Sequence, residues 1–215
     1  MKHRTQLLPK YYDIDSDDAY GGYIFDLVNR ENLQSDGNWL LAKPAWPDGY
    51  GNLPRHPWRF PNYLERPRVL LDGKPGRALA DLRNQDGFWF VSRAMKALLE
   101  QIDPSACEFR ECETVFASGD AGPEYWLCSA TRFLFGKDVI DCGAIEELTL
   151  RPAPNGFVDY VVYPQTKIRF KPEAIGSAHL FRVVELGRSI FCDQSVKDAC
   201  RAAGSKGVRF DKMGA

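Results

Sequence analysis

Histidine is scarce in this chain, with three among 215 residues, at positions 3, 56 and 179. No two of them can share a helix face, which removes the usual helical histidine pair for zinc and leaves no metal triad in view. Gly49-Tyr50-Gly51 lacks the remaining glycine of a dinucleotide-binding turn, and no Gly-x-x-x-x-Gly-Lys-Ser/Thr loop is present to cradle phosphate. The Gly-x-Ser-x-Gly elbow of acyl-transfer serines is missing too. No cofactor and no metal are therefore expected. Long apolar runs are also lacking: nothing approaches bilayer length, and Met1 to Pro9 carries charge without an apolar core of signal-peptide length. The expectation is a cytoplasmic protein with no membrane partner. Charge of one sign is missing as well, since a net charge of −1 gives no overall attraction to nucleic acid or an anionic surface. Any partner must be recognised locally.

Six cysteines stand at 107, 112, 128, 142, 192 and 200, with no two-residue gap of a zinc knuckle or redox pair and no Asn-x-Ser/Thr acceptor anywhere. That pattern reads as free thiols in a reducing compartment. Cys142 and Cys192 lie in strand-like apolar runs and Cys200 on a helical stripe, where a thiol acts as a small hydrophobe.

What is present is a core-sized hydrophobic fraction of 44% and a stretch that occurs twice. Phe90 to Ile102 aligns without a gap with Phe191 to Ala203. Apolar residues recur at i, i+3, i+4 and i+7, as Met95, Leu98, Leu99 and Ile102 and again as Val196, Ala199, Cys200 and Ala203, which predicts one buried face per helix. Ser92 and Asp193 are placed to cap the two helices, and Asp103-Pro104 and Gly204 to stop them. Lys96 and Lys197 fall on the outward face. Short strands carrying Phe109 and Phe210 follow, giving two strand-helix-strand units at about 88–110 and 189–211. With three identities between them, Phe90/Phe191, Lys96/Lys197 and Phe109/Phe210, duplication and coincidence both fit the sequence.

The remainder is mostly β. Thr114–Phe116, Tyr125–Cys128, Val139–Cys142, Phe157–Tyr163, Lys167–Phe170 and Leu180–Val184 have strand composition, separated by turn residues, and Arg77–Arg83 could form two helical turns. The fold class expected is α+β, with mostly antiparallel sheet. Residues 39–76 are dense in proline and aromatics, an irregular but ordered excursion ending in Val69-Leu70-Leu71. A soft boundary at Asp86-Gly87 divides an acidic, aromatic part, 1–85, from the repeat-containing part, 86–215, the two forming one compact unit.

Two sets of residues invite a functional reading. Tyr11 to Asn29 contains five aspartates and no lysine or arginine, interleaved with tyrosines. Carboxylates steer a basic partner and aromatics supply contact area, so Tyr12, Asp13, Asp15, Asp17, Asp18 and Tyr20 are candidate contacts, backed by Trp46, Tyr50 and Trp58. The same residues also suit a solvated acidic loop. They lack the glycine and distal glutamate of a calcium loop. The second set is His179 with Cys128 or Cys192, a base and a thiol that could meet in space, and Glu146-Glu147 is a lesser carboxylate pair.

Phe88-Trp89-Phe90-Val91-Ser92, Val139-Ile140-Asp141-Cys142, His179-Leu180-Phe181-Arg182, Ile190-Phe191-Cys192-Asp193 and Gly207-Val208-Arg209-Phe210, taken in order, resemble a bacterial immunity-protein family. Its members accompany polymorphic toxins, including type VI secretion effectors. The likeness spans the rear part of the chain, with only a loose match in the acidic start. It implies a cytoplasmic, non-enzymatic protein that binds and neutralises one cognate toxin. The alternative left by the residues themselves is a small enzyme with a cysteine nucleophile and His179 as base.

Overall fold

The structure is a computed structural model and describes residues 9–20, 22–35, 59–73, 78–85, 88–141, 149–152, 158–161 and 168–214. In chain order the strands are β1 (Tyr11–Ser16), β2 (Tyr23–Leu27), β3 (Arg68–Gly73), β4 (Leu82–Gln85) and β5 (Phe88–Ser92), followed by helix α1 (Arg93–Ile102). Then come β6 (Cys107–Glu111), β7 (Glu113–Phe116), β8 (Tyr125–Ala130), β9 (Phe133–Leu134), the short α2 (Gly136–Val139), β10 (Thr149–Pro152) and β11 (Val158–Val161). The chain closes with the short α3 (Pro172–Ile175), β12 (Leu180–Val183), β13 (Phe191–Asp193), α4 (Gln194–Ala202) and β14 (Val208–Met213). The expected α+β class is what the chain adopts.

The two predicted units are present and their correspondence extends beyond the sequence match. One sheet has the order β4-β5-β8-β6 and another β14-β1-β13-β12-β9. In the first, α1 connects β5 to β6 with β8 inserted antiparallel between them; in the second, α4 connects β13 to β14 with β1 inserted likewise. Phe90 stands opposite Leu127 and Phe109 opposite Cys128, while Phe191 stands opposite Asp13 and Phe210 opposite Ile14. In each unit the two phenylalanines thus face consecutive residues of the inserted strand. The helix caps correspond as well, Ser92 accepting from the Met95 N–H and Asp193 from the Ser195 and Val196 N–H groups.

The helices pack against each other, and Met95, Leu98 and Leu99 share one core with Val196, Cys200, Tyr12, Ile14, Trp89 and Cys192. Each unit also latches the other. Asp103, just after α1, accepts from the backbone N–H groups of His179 (2.9 Å) and Leu180 (3.3 Å) at the start of β12. Lys206, after α4, exchanges two bonds with Asp81 just before β4: the Asp81 N–H donates to the Lys206 carbonyl (2.8 Å), and the Lys206 N–H to the Asp81 carboxylate (2.7 Å).

The outward sheet faces are covered differently. A three-stranded sheet, β2-β3-β7, lays Phe25, Leu27, Val69 and Leu71 over Phe88, Phe90, Tyr125 and Leu127. On the other unit, Val139, Ile140, Ile168, Phe170 and Ile175 cover Tyr11, Phe181 and Phe191.

Several local expectations change. The helix foreseen over 77–83 is, where described, an irregular stretch leading into β4, because Leu82 is fully buried and paired with Val91. Seven residues hold too few internal bonds to resist that pairing. Val139 closes helix α2 instead of opening a strand, its N–H bonded to the Phe135 carbonyl, and Ile140 makes an isolated bridge to Phe170. Both side chains are buried, so the turn meets the same apolar demand as a strand would. The pairing among the described residues is mostly antiparallel, as expected, with β3–β7 and β9–β12 parallel. The 86–87 step lies between β4 and β5, which pair directly.

Candidate functional site

The acidic segment begins as a strand within a sheet. β1 lies between β13 and β14, and its alternation sends Tyr12, Ile14 and Ser16 toward the helices and Tyr11, Asp13 and Asp15 to the opposite face. Tyr12 is buried, its hydroxyl bonded to the Gln194 side chain. Asp13 is half-buried and accepts from the Ser189 hydroxyl at 2.9 Å. Burial pushes its carboxyl up to about 6 against that bond, and the Asp15 and Asp211 charges add to the rise.

Beyond Asp13 the carboxylates reach the surface. Asp15 accepts from Asn84 at 2.6 Å and pairs with Arg209 at 3.6 Å, and Arg209 also holds Asp211 at 2.9 Å. Asp17 and Asp18 form the turn after β1: Asp17 accepts from the Ala19 N–H, and exposed Asp18 pairs with Arg83 at 3.2 Å. Tyr20, half-exposed, caps the turn through its N–H to the Asp17 carbonyl. Asp13, Asp15, Asp17, Asp18 and Tyr20 therefore lie along one strand and turn, joined by Asp211 from β14, a residue that sequence reading passed over. Its place beside Asp13 follows from strand register alone. Trp46, Tyr50, Trp58 and the Glu146-Glu147 pair lie outside the described residues.

The cysteine-histidine pairing is not assembled. Cys128 and Cys192 are fully buried, and burial raises both thiols well above their ordinary value, with Cys107 adding to the effect at Cys128. Such thiols hold their protons. His179 Nδ1 is instead 2.8 Å from the Asp193 carboxylate that caps α4. Among the described residues no group of three or more His, Cys, Asp or Glu side chains is placed to hold a metal.

The sequence motifs that stand out are structural. Arg182 is buried in β12, its guanidinium donating to the carbonyls of Ala130 (3.0 Å) and Arg188 (3.2 Å). Gly207 has φ +70°, and a Cβ there would sit 2.5 Å from that of Ala80, so only glycine lets β14 start where it does. Compared with known families, residues 10–215 match the model of the immunity protein family Imm11. The chain belongs to the Imm11 family. That match takes in β1 and the acidic turn as well as both repeated units. No curated protein matches the chain. Among the described residues of this Imm11 protein, no helix is long and apolar enough to cross a membrane.

Proposed function

We propose that this chain is an immunity protein that binds and neutralises a cognate bacterial toxin by direct complex formation in the cytoplasm of the producing cell. The Imm11 match over residues 10–215 carries this reading. The toxin belongs to the class delivered between competing cells by polymorphic-toxin or type VI machinery. The protein acts by occupancy and not by catalysis, a reading supported by the buried, protonated thiols and by the His179 ring held at a helix cap.

Neutralisation at low cellular concentration requires affinity of about nanomolar or better, which charge complementarity reaches partly through a faster encounter. Asp15, Asp17, Asp18 and Tyr20, with Asp211, supply the accessible carboxylates and ring for a basic toxin surface. Tyr12 contributes from beneath, by holding β1 against α4. The test is co-expression with the toxic domain encoded beside this chain, followed by association kinetics at low and moderate salt. A combined Asp15→Asn, Asp17→Asn, Asp18→Asn variant is expected to associate more slowly and with a weaker salt dependence. Unchanged kinetics would move the interface elsewhere, and a toxic domain that neither binds nor is neutralised would end the immunity reading.

A further inference from the structure

The acidic segment runs on into β2, an outer strand of the three-stranded sheet, and that edge pairs with no further strand among the described residues. The opposite edge is closed: the turn after β7 folds back so that Phe116 bonds Asp120, Gly122 bonds Thr114, and Val115 bridges Ala121. Among the described residues β2 pairs with β3 alone. The Val28 N–H donates to the Arg68 carbonyl at 3.0 Å, which fixes the alternation of the antiparallel ladder. Ile24, Asp26 and Val28 direct their backbone groups to β3, and Tyr23, Phe25 and Leu27 direct theirs away from the sheet. Those outward groups meet no strand among the described residues.

Edges of this kind are usually blunted by charged side chains, lysine above all, by proline or by a bulge, and the one charge on this strand is Asp26. Tyr23-Ile24-Phe25-Asp26-Leu27 has no lysine or proline, and its register runs without interruption from Tyr23 opposite Gly73 to Leu27 opposite Val69. Its outward side chains are also unusual, since Ile24 is 65% exposed and Val28 42%. Between them lies exposed Asp26, and across from Ile24 lies exposed Asp72; neither carboxylate has an ion-pair partner among the described residues. The half-buried Leu70 and Val115 continue the apolar surface inward.

We infer that the β2 edge accepts an extended strand of the toxin, added by backbone hydrogen bonds to Phe25 and Leu27. Its outward side chains alternate aliphatic, basic, aliphatic beside Ile24, Asp26 and Val28. Strand addition draws affinity from the main chain and specificity from alternate side chains, and the pattern here selects lysine or arginine at one position between two apolar ones. A second copy of this chain is the poorer occupant, because antiparallel self-pairing centred here sets Asp26 near its own counterpart. This inference rests on the immunity reading above and names the manner of docking.

The full chain and the inactivated toxic domain encoded beside it serve for the test, read by amide-resolved hydrogen exchange. In the free protein the Phe25 and Leu27 amides should exchange faster than those of Asp26 and Val28. On complex formation they should slow by about 100-fold or more. An Ile24→Lys, Val28→Lys variant, altered only at exposed side chains, should keep its fold and lose about 30-fold in affinity. A tight complex with unaltered Phe25 and Leu27 exchange, insensitive to the two lysines, overturns strand addition and leaves the immunity reading standing. Absence of any complex overturns both. Protection of the same amides in the free chain, rising with concentration alongside dimer formation, overturns the toxin as occupant in favour of a second copy.

Discussion

The Lys197 ammonium lies over the ring of Tyr12, 3.7 Å from its centroid, and 5.7 Å from that of Phe210. Lys96 occupies the equivalent place in the other unit, 5.1 Å from the ring of Phe109 and 5.7 Å from that of Trp126. The sequence places both lysines on outward helix faces and so predicts tolerance to replacement. The structure gives each an aromatic pair instead, one ring from the closing strand and one from the inserted strand. Burial, with Arg201 nearby, lowers the Lys197 pKa. A double-mutant cycle of Lys197→Met and Tyr12→Leu, followed by urea denaturation, is expected to give a coupling of about 0.5–2 kcal/mol. Additive effects would reduce the contact to mere proximity.

Asp13 gives a pH dependence of definite sign. Its folded pKa, raised mainly by burial, is about 6 against an ordinary 3.8. The protonated form is thus favoured in the native state, and its contribution is complete below the ordinary value and lost as pH rises through about 6. Asp13→Asn keeps an acceptor for the Ser189 hydroxyl and never ionises. It should stabilise the protein at pH 8, by up to about 3 kcal/mol, and change little at pH 4. Denaturant midpoints at the two pH values measure this.

Asp103 behaves in the opposite way. Burial alone would raise its pKa, but the Arg132 guanidinium and the His179 and Leu180 N–H groups outweigh it, and the carboxyl is held below its usual range. Its contribution is present above the ordinary carboxylate value and lost as pH falls through the lowered native one. Asp103→Ala leaves a guanidinium and two backbone donors short of an acceptor, with an expected loss of about 3 kcal/mol or more at neutral pH. The difference from the parent should narrow in strong acid, as followed by urea denaturation across pH.

The helices were legible because their information is local: the stripe of Met95, Leu98 and Leu99 and the caps Ser92 and Asp193 lie within one or two turns of what they control. β1 was harder. Tyr11-Tyr12-Asp13-Ile14-Asp15-Ser16 reads as an acidic loop, since the partners that make it a central strand lie at the far end of the chain, Asp211 opposite Asp13 and Cys192 opposite Tyr12. The same distance hid the site's geometry. Composition marked the aspartates, but only register turns Tyr12 inward and brings Asp211 alongside. That β2 meets no second strand among the described residues is a property of sheet order, to which Ile24 and Val28 contribute no local signal beyond being apolar.

The position of β1 also bears on how the chain divides. Residues 86–215 contain both repeated units, yet on their own they would lack the strand between β13 and β14 and leave the facing backbone groups of both unpaired. They would lose Tyr12 and Ile14 from the core between the helices and Tyr11 from the aromatic cluster around Phe170 and Phe181. Phe88, Phe90 and Leu127 would be stripped of the covering Phe25, Leu27, Val69 and Leu71. Each large side chain exposed in this way forfeits roughly 1.5–3 kcal/mol, so the sum exceeds the whole stability of an ordinary domain. The 86–215 fragment is therefore expected to show no cooperative thermal transition and weak near-ultraviolet dichroism, and residues 1–85 supplied as a separate chain should restore both. A fragment that melts cooperatively by itself would establish the rear part as an independent domain and reduce β1 to an appended strand.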